Sequence, residues 1–491
     1  LTTDNWYDAG GRLIKSVSGG SHEIFTKYVY DVLGRQVETH VGYDAGDTTW
    51  AHAGGLTGDT IIQETVTTYN EAGQVLLSAS YARAHDAGSG TGRLSDITPA
   101  SNWRRTYSAA WYDGVGRQIA SAAYGTNGGT EITSPATTVP TRSDTILVTS
   151  MEYDDLGRAH QVTDPADRVT RSFYDDAGRQ THVVENYKSG ASYWTDDDPD
   201  QPVGRSGDVN RITKFVYNAD GRVIQQIAFD PAADGSGTSS DDQITKYIYG
   251  TEATAATPAI YSNDLLAAVI YPESTNTYDS GTKTFTNGAN GYDRIELKYN
   301  RQGQVTERKD QRETVHAMTY DALGRLTVDT VTDLGRAAEK VDASVRRIDR
   351  TYNARGLLTD IVSYANAAGT GTPVNEVEYT YNEFNQLLTD EQEHNGAAGA
   401  STPQVAYAYA SGSGTTNHIR PTTITYPNSR VITLDYGTAN GTDDLLNRVA
   451  GIKDGSTVLA SYSYIGAGTV VRKHLEDTAS TGDNGTELSY W

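Results

Sequence analysis

Tyr153-Asp154-Asp155-Leu156-Gly157-Arg158 and, 21 residues further on, Tyr174-Asp175-Asp176-Ala177-Gly178-Arg179 carry the pattern that decides the fold. A Tyr is followed by Asp or Asn, two variable residues, Gly and usually Arg. The same pattern starts at Tyr7, Tyr30, Tyr69, Tyr112, Tyr217, Tyr299, Tyr320, Tyr352 and Tyr381, which makes eleven copies in 491 residues. The second position is Asp8, Asp31, Asp113, Asp154, Asp175 or Asp321 in six copies, and Asn70, Asn218, Asn300, Asn353 or Asn382 in five. This exchange implies that the position needs a short hydrogen-bond acceptor, as the first residue of a turn does, rather than a charge. The fifth position is Gly in ten copies and Asn385 in the last; both residues tolerate the left-handed region. Asx followed three residues later by Gly predicts a type I turn closed by a left-handed residue, the geometry of a short hairpin with a G1 bulge.

The sixth position is Arg12, Arg35, Arg117, Arg158, Arg179, Arg222 or Arg325, with Gln74, Gln304, Gln386 and Leu357 as exceptions. A long polar side chain there lies over its own turn or reaches a neighbouring strand. The Gln and Leu copies argue against a basic ligand stripe. Each 21-residue interval also holds a weaker turn, Asp164-Pro165-Ala166-Asp167 or Asp310-Gln311-Arg312-Glu313. The basic period is therefore about ten or eleven residues: one strand, one turn, and reversal. Longer gaps, such as Tyr217 to Tyr299, are placed in loops.

Strand periodicity puts Tyr28, Met151, Phe215, Leu297, Met318 and Tyr379 on the same sheet face as the turn Tyr that follows each. Further Tyr-x-Tyr pairs stand at Tyr247/Tyr249, Tyr407/Tyr409 and Tyr462/Tyr464. Helical periodicity is best at Val345 to Tyr352 and is short there. The expected fold is all-β, a continuous array of antiparallel hairpins over 1–491 in a long coiled or spiralling sheet, as a hollow shell or a tube.

Composition agrees. Tyr outnumbers Phe 33 to 6, which suits rings half-buried in thin sheets with the hydroxyl on a polar partner. The net charge of −23 disfavours nucleic acid and anionic lipid as partners. With no Cys there are no disulfides, thiolate nucleophiles or Cys-bound metals. No apolar run of about 18 residues is present to cross a membrane as a helix.

The residues offer no catalytic constellation. Walker, His-Glu-x-x-His and Gly-x-Ser-x-Gly patterns are all missing. The ten His residues are scattered; His160 and His182 each follow a turn Arg and read as strand residues. Two acidic loops resemble weak calcium sites, Asp196-Asp197-Asp198-Pro199-Asp200 and the group Asp230, Asp234, Asp241 and Asp242. Neither has a calcium loop's full spacing, and both read as solvated turns. Asn440 and Asn484 stand in glycosylation sequons that Asn-Gly turns generate by themselves. No catalytic, cofactor-binding or metal-ligating residue is assigned, no cofactor is expected, and the chain is read as a non-enzyme.

The Tyr-Asp-x-x-Gly-Arg array resembles the YD repeats of bacterial Rhs proteins, of shell-forming components of insecticidal toxin complexes and of animal teneurins. A late segment, 417–491, resembles the Rhs type more closely. It contains Ile424-Thr425-Tyr426-Pro427-Asn428-Ser429-Arg430-Val431, Leu434-Asp435-Tyr436-Gly437, Leu446-Asn447-Arg448-Val449 and Tyr462-Ser463-Tyr464-Ile465-Gly466-Ala467-Gly468. The resemblance implies a secreted or cell-surface β-shell that encloses or displays a C-terminal polypeptide. In such proteins an aspartyl autoprotease downstream of the repeats usually frees that cargo; none of its residues is identified up to Trp491. The chain starts inside a repeat and is expected to be a piece of a longer protein. Its expected partners are flanking repeats, a C-terminal cargo, and other chains that pair with unfilled strand edges. The alternative is an adhesive module that stacks glycan on exposed Tyr and Trp, with Trp6, Trp50, Trp103, Trp111 and Trp194 as candidates.

Overall fold

A computed structural model describes residues 3–18, 24–43, 50–88, 90–189, 208–229, 242–251, 262–272, 274–282, 284–289, 291–336, 341–410, 420–476 and 486–489. Among these residues, thirty-one strands belong to one antiparallel sheet, and Thr277–Asp279 with Thr284–Thr286 forms a separate two-stranded hairpin. Among the described residues, helix is confined to Trp50–Ala53, Thr442–Leu445 and three short 3-10 turns. Wherever register is described, each strand of the large sheet pairs with the next one in chain order; Ser262–Ile270 skips only the small hairpin to reach Arg294–Tyr299. The all-β hairpin array expected from the repeat is the observed fold.

The turns form for the anticipated reasons. Between Ile24–Tyr30 and Gln36–Tyr43, the Asp31 carboxylate accepts from the Leu33 and Arg35 N–H groups, both at 2.9 Å. The Gly34 N–H donates to the Asp31 carbonyl at 3.0 Å. Gly34, Gly157, Gly178 and Gly324 all have φ near +80°, and Asn385 has +65°. The register shifts at the turn Tyr, as at Val29/Tyr30 and Phe173/Tyr174, where the bulge was expected. The weaker turns reach the same geometry with ordinary residues, Asp167 at +62° and Glu313 at +66°. Val345 to Tyr352 is corrected from helix candidate to strand: Arg347–Tyr352 pairs with Leu358–Tyr364 across the Asn353 turn. Ladder pairing outweighs a short local periodicity.

The chain forms two compact units, one of residues 1–151, 164–167 and 405–491, the other of 152–163 and 168–404. In the first, Phe25, Ile61, Leu77, Tyr81, Tyr107, Trp111, Ala120 and Val148 join Leu94 and Ile97 in a continuous apolar core. Leu94 and Ile97 come from the segment between Val75–Arg83 and Trp103–Tyr112, and Ile132 and Ile146 come from the segment between Gln118–Gly125 and Leu147–Tyr153. Loops thus lie over one sheet face. That face is opposite the turn Tyr, since Trp111 is buried next to Tyr112 and neighbouring strand residues point to opposite sides. Tyr28, Met151, Phe215, Leu297, Met318 and Tyr379, on the turn-Tyr face, are only half-buried.

Among the described residues, the apolar cluster of the second unit is smaller. Val184, Ile212 and Phe229 cluster with Phe173 and Tyr187. Strands such as Ala159–Thr163 and Val169–Tyr174 are half-buried at every residue, on both faces.

Candidate functional site

The residues that could carry chemistry are mostly used to lock one hairpin to the next. The turn Tyr hydroxyl donates to a carbonyl of the preceding hairpin: Tyr30 to Leu13 at 2.8 Å, Tyr69 to Gln36 at 2.7 Å, Tyr217 to Gln180 at 2.7 Å, Tyr320 to Val305 at 2.7 Å and Tyr381 to Leu358 at 2.8 Å. The sixth-position Arg lies over the Tyr ring of the following hairpin, at 5.0 Å for Arg12 on Tyr30, 4.9 Å for Arg179 on Tyr217 and 4.3 Å for Arg325 on Tyr352. It also donates to the carbonyl of the next Asx, as Arg35 does to Asn70 at 2.7 Å and Arg158 to Asp175 at 3.1 Å. Both expected reaches, over the turn and to the neighbour, occur together.

The second and sixth positions vary as a pair, which corrects the reading that charge is immaterial. All six Asp copies have Arg at the sixth position, and three of the five Asn copies have Gln. The Arg Nε–H donates to the Asp carboxylate at 2.6–2.7 Å in every Asp copy. In the Asn copies the amide N–H donates to the Gln Oε1 instead, at 2.6–2.7 Å for Asn70/Gln74, Asn300/Gln304 and Asn382/Gln386. A carboxylate has no donor for a Gln oxygen, so the partners change together. The two exceptions compensate. Arg222, opposite Asn218, pairs with Asp220 and Asp264. Leu357 has no donor, and Arg355 bonds the Asn382 carbonyl at 2.6 Å in its place.

The backbone and side chain of Arg12 hold Asp8 below the usual carboxylate range, and Arg179 and Arg325 hold Asp175 and Asp321 there in the same way. Burial lifts the phenols of Tyr30, Tyr299 and Tyr320 above their ordinary value.

The lock continues past the eleven copies. Arg420 covers Tyr436 at 4.3 Å and Arg448 covers Tyr464 at 4.6 Å, with the Tyr hydroxyls on the Pro421 and Val449 carbonyls. The six-residue motif misses both. Their signal is the 16-residue step from Arg to Tyr that Arg158 and Tyr174 share.

One buried polar cluster was also missed. His40, fully buried, lies 3.1 Å from Glu38 and 3.9 Å from Glu64, its cross-strand neighbour. Glu64 accepts the Leu94 N–H at 2.7 Å, and the His40 contact, with Arg93, holds Glu38 below its ordinary range. The register of Gln36–Tyr43 against Thr60–Tyr69 brings these groups together; the linear spacing gave no hint of it. The cluster pins the loop that carries Leu94 over the core.

Other candidates disperse. His160 is a strand residue, and His182 packs edge-on to Phe173 at 6.3 Å. Trp111 is in the core with its indole N–H on the Ala136 carbonyl, and Trp103 packs on Tyr81 at 5.3 Å. Trp6 packs against the core, and Trp50 is exposed. Trp194, the 196–200 loop, Asp230, Asp234, Asp241 and Asn484 lie outside the described residues. Asp242 is buried and Asn440 sits in a turn with φ +63°. No group of three or more His or carboxylate side chains that could hold a metal is present among the described residues.

This geometry defines the class: a β-hairpin repeat protein whose Tyr, Asx and Arg side chains tie each turn to its neighbour. Residues 153–187, which hold the copies starting at Tyr153 and Tyr174, match the RHS Repeat family model. The chain carries an RHS repeat over these residues. No curated protein matches it. Among solved structures it is similar to the Photorhabdus luminescens Tc holotoxin pore, at 13% identity over 98% of this chain and 26% of that one, with a TM-score of 0.31. It is also similar to a TcdB2-TccC3-TEV structure, at 12% identity over 94% and 24% with a TM-score of 0.24. A third is TcdB2-TccC3 without its hypervariable C-terminal region, at 13% over 100% and 28% with a TM-score of 0.17. The chain spans about a quarter of the length of these structures.

Proposed function

We propose that the chain is a structural wall: a scaffold of a secreted or cell-surface Rhs-type protein that encloses or displays a further polypeptide and has no catalysis of its own. The observation that carries this is the lock itself. The repeated Tyr hydroxyls are committed to the preceding hairpin, the Asx side chains to their own turns and the Arg guanidinium groups to the next hairpin, as a load-carrying sheet requires. A second feature fits the same role. The fourth turn residue is apolar and exposed in Leu33, Val115, Leu156, Leu323 and Phe384, 62–78% accessible. Such tips suit contact with flanking repeats or with the enclosed chain. Self-association through strand edges belongs to the same reading.

The test is to express the chain with a protease-sensitive reporter fused to its C-terminus. Protection of the reporter from added protease, with hollow particles in electron micrographs, is the expected result. Cleavage at the rate of the free reporter, from solid particles, would overturn the container role.

The adhesive reading rests on one patch. Trp50 is 62% and Tyr7 49% exposed, and the Trp50 indole N–H donates to the Tyr7 carbonyl at 2.9 Å. Binding on a glycan array that disappears in Trp50→Ala would favour it.

A further inference from the structure

A cavity of ≈ 280 Å³ lies within the first unit, between the end of Val75–Arg83 with its following loop and the segment 438–466. Its wall includes Arg83, His85, Thr442, Asp443, Arg448 and Tyr462. The two stretches are joined around it: the Gly466 N–H donates to the Arg83 carbonyl at 2.9 Å, and the Tyr43 and Thr442 hydroxyls meet at 3.1 Å.

Arg83 is the unusual group. It is 7% exposed, yet its guanidinium touches only neutral acceptors, the carbonyls of Ile61 at 3.3 Å, Gly88 at 2.8 Å and Gly90 at 2.6 Å. These bonds use three of its five N–H groups. No carboxylate among the described residues is bonded to it. Burial pushes it below its ordinary range, with only Tyr43 acting the other way. An enclosed guanidinium without a counter-charge is costly to keep. The second cation is already matched, since Arg448 bonds Asp443 at 2.8 Å and stacks on Tyr464 at 4.6 Å. The wall therefore carries one unbalanced positive charge in a protein whose net charge is −23.

We propose that this cavity binds a small organic carboxylate, with Arg83 as its counter-ion. Gly88 and Gly90 take both Nη2–H groups, so a carboxylate would accept a single charge-assisted bond from the unused Nε–H or Nη1–H of Arg83. The volume lies just under the usual range of about 300–1,000 Å³ for ligand sites, so the occupant is a short acid or one carboxylate side chain of a polypeptide. Such a ligand touches both chain stretches and so stabilises their junction.

Isothermal titration calorimetry on the full chain, at fixed ionic strength, tests this with acetate, glutarate, acetamide, inorganic phosphate and an end-blocked peptide holding one Glu. Carboxylates are expected to bind and to raise Tm, with acetamide inert. Arg83→Met, folded by circular dichroism, is expected to weaken binding by about tenfold or more, the usual scale for a charged hydrogen-bonded partner, and Arg83→Lys by less. A peptide tighter than glutarate assigns the source to a polypeptide, and the reverse to a free acid; either supports the site. Acetamide binding as well as acetate, phosphate binding tighter than every carboxylate, or a folded Arg83→Met with unchanged affinity would overturn it. Should Arg83→Met not fold, the acid-against-amide comparison on the unaltered chain decides.

Discussion

Residues 17–148 and residues 168–404 are built on one repeat, but they hold together by different means. In the first stretch, loops bring Leu94, Ile97, Ile132 and Ile146 over the sheet and make a continuous core. Among the described residues of the second, strands such as Val169–Tyr174 are half-buried on both faces and the apolar cluster is Val184, Ile212 and Phe229 with two neighbours. What the two share is the Tyr–Asx–Arg lock. The repeat shapes the sheet in both, and in the first stretch the connections between repeats deepen the core.

A matched pair of substitutions tests this most severely. Ile61 and Ile212 are both buried, at 0% and 3% exposure. Ile61→Ala is expected to cost about 4–5 kcal/mol and Ile212→Ala about 2 kcal/mol, the two ends of the range for such truncations. Urea unfolding followed by segment-resolved hydrogen exchange measures both; equal losses would break the comparison. Gly178→Ala comes next. A Cβ there meets nothing within 4 Å, so the cost is only that of φ +80°, about 1–2 kcal/mol. Its effect should be confined to the second unit.

A smaller effect probes the lock. Asp175→Asn and Arg179→Gln should each lower Tm, whereas the double variant should recover most of the loss, because it recreates the Asn–Gln pair seen at Asn70 and Gln74. Additive losses would mean that the two positions are not coupled. The mildest test is pH. A carboxylate with a lowered pKa adds stability that is present above the ordinary value of 3.8 and lost as pH falls through its lowered value. A phenol with a raised pKa adds stability that is present below 10.0 and lost as pH rises through its raised value. The second unit, which leans on the lock, should lose exchange protection first at both extremes.

Much of the fold was legible because the turn chemistry is local. Asx, Gly and the 21-residue step specify hairpins without knowledge of the rest of the chain. The coupling of the second and sixth positions was also present in the sequence, but it emerges only when each copy is read as a pair. The core of 17–148 was hidden, since Leu94 and Ile97 lie in a connection with no repeat signal. The His40 cluster and the Arg83 cavity depend on strand register and on contacts between residues hundreds of positions apart. Spacing along the chain cannot report either.

Pairing each strand with its successor has a consequence for how the molecule is made. Such contacts close as soon as two neighbouring strands have left the ribosome, so the array can build in the order of synthesis. The bond from Gly466 to Arg83 cannot. It must wait for almost 400 further residues, and until then the loop after Arg83 has no lid. The first unit to begin folding is therefore among the last to finish. A nascent chain arrested before residue 466 should carry a settled ladder beside an unsealed first unit.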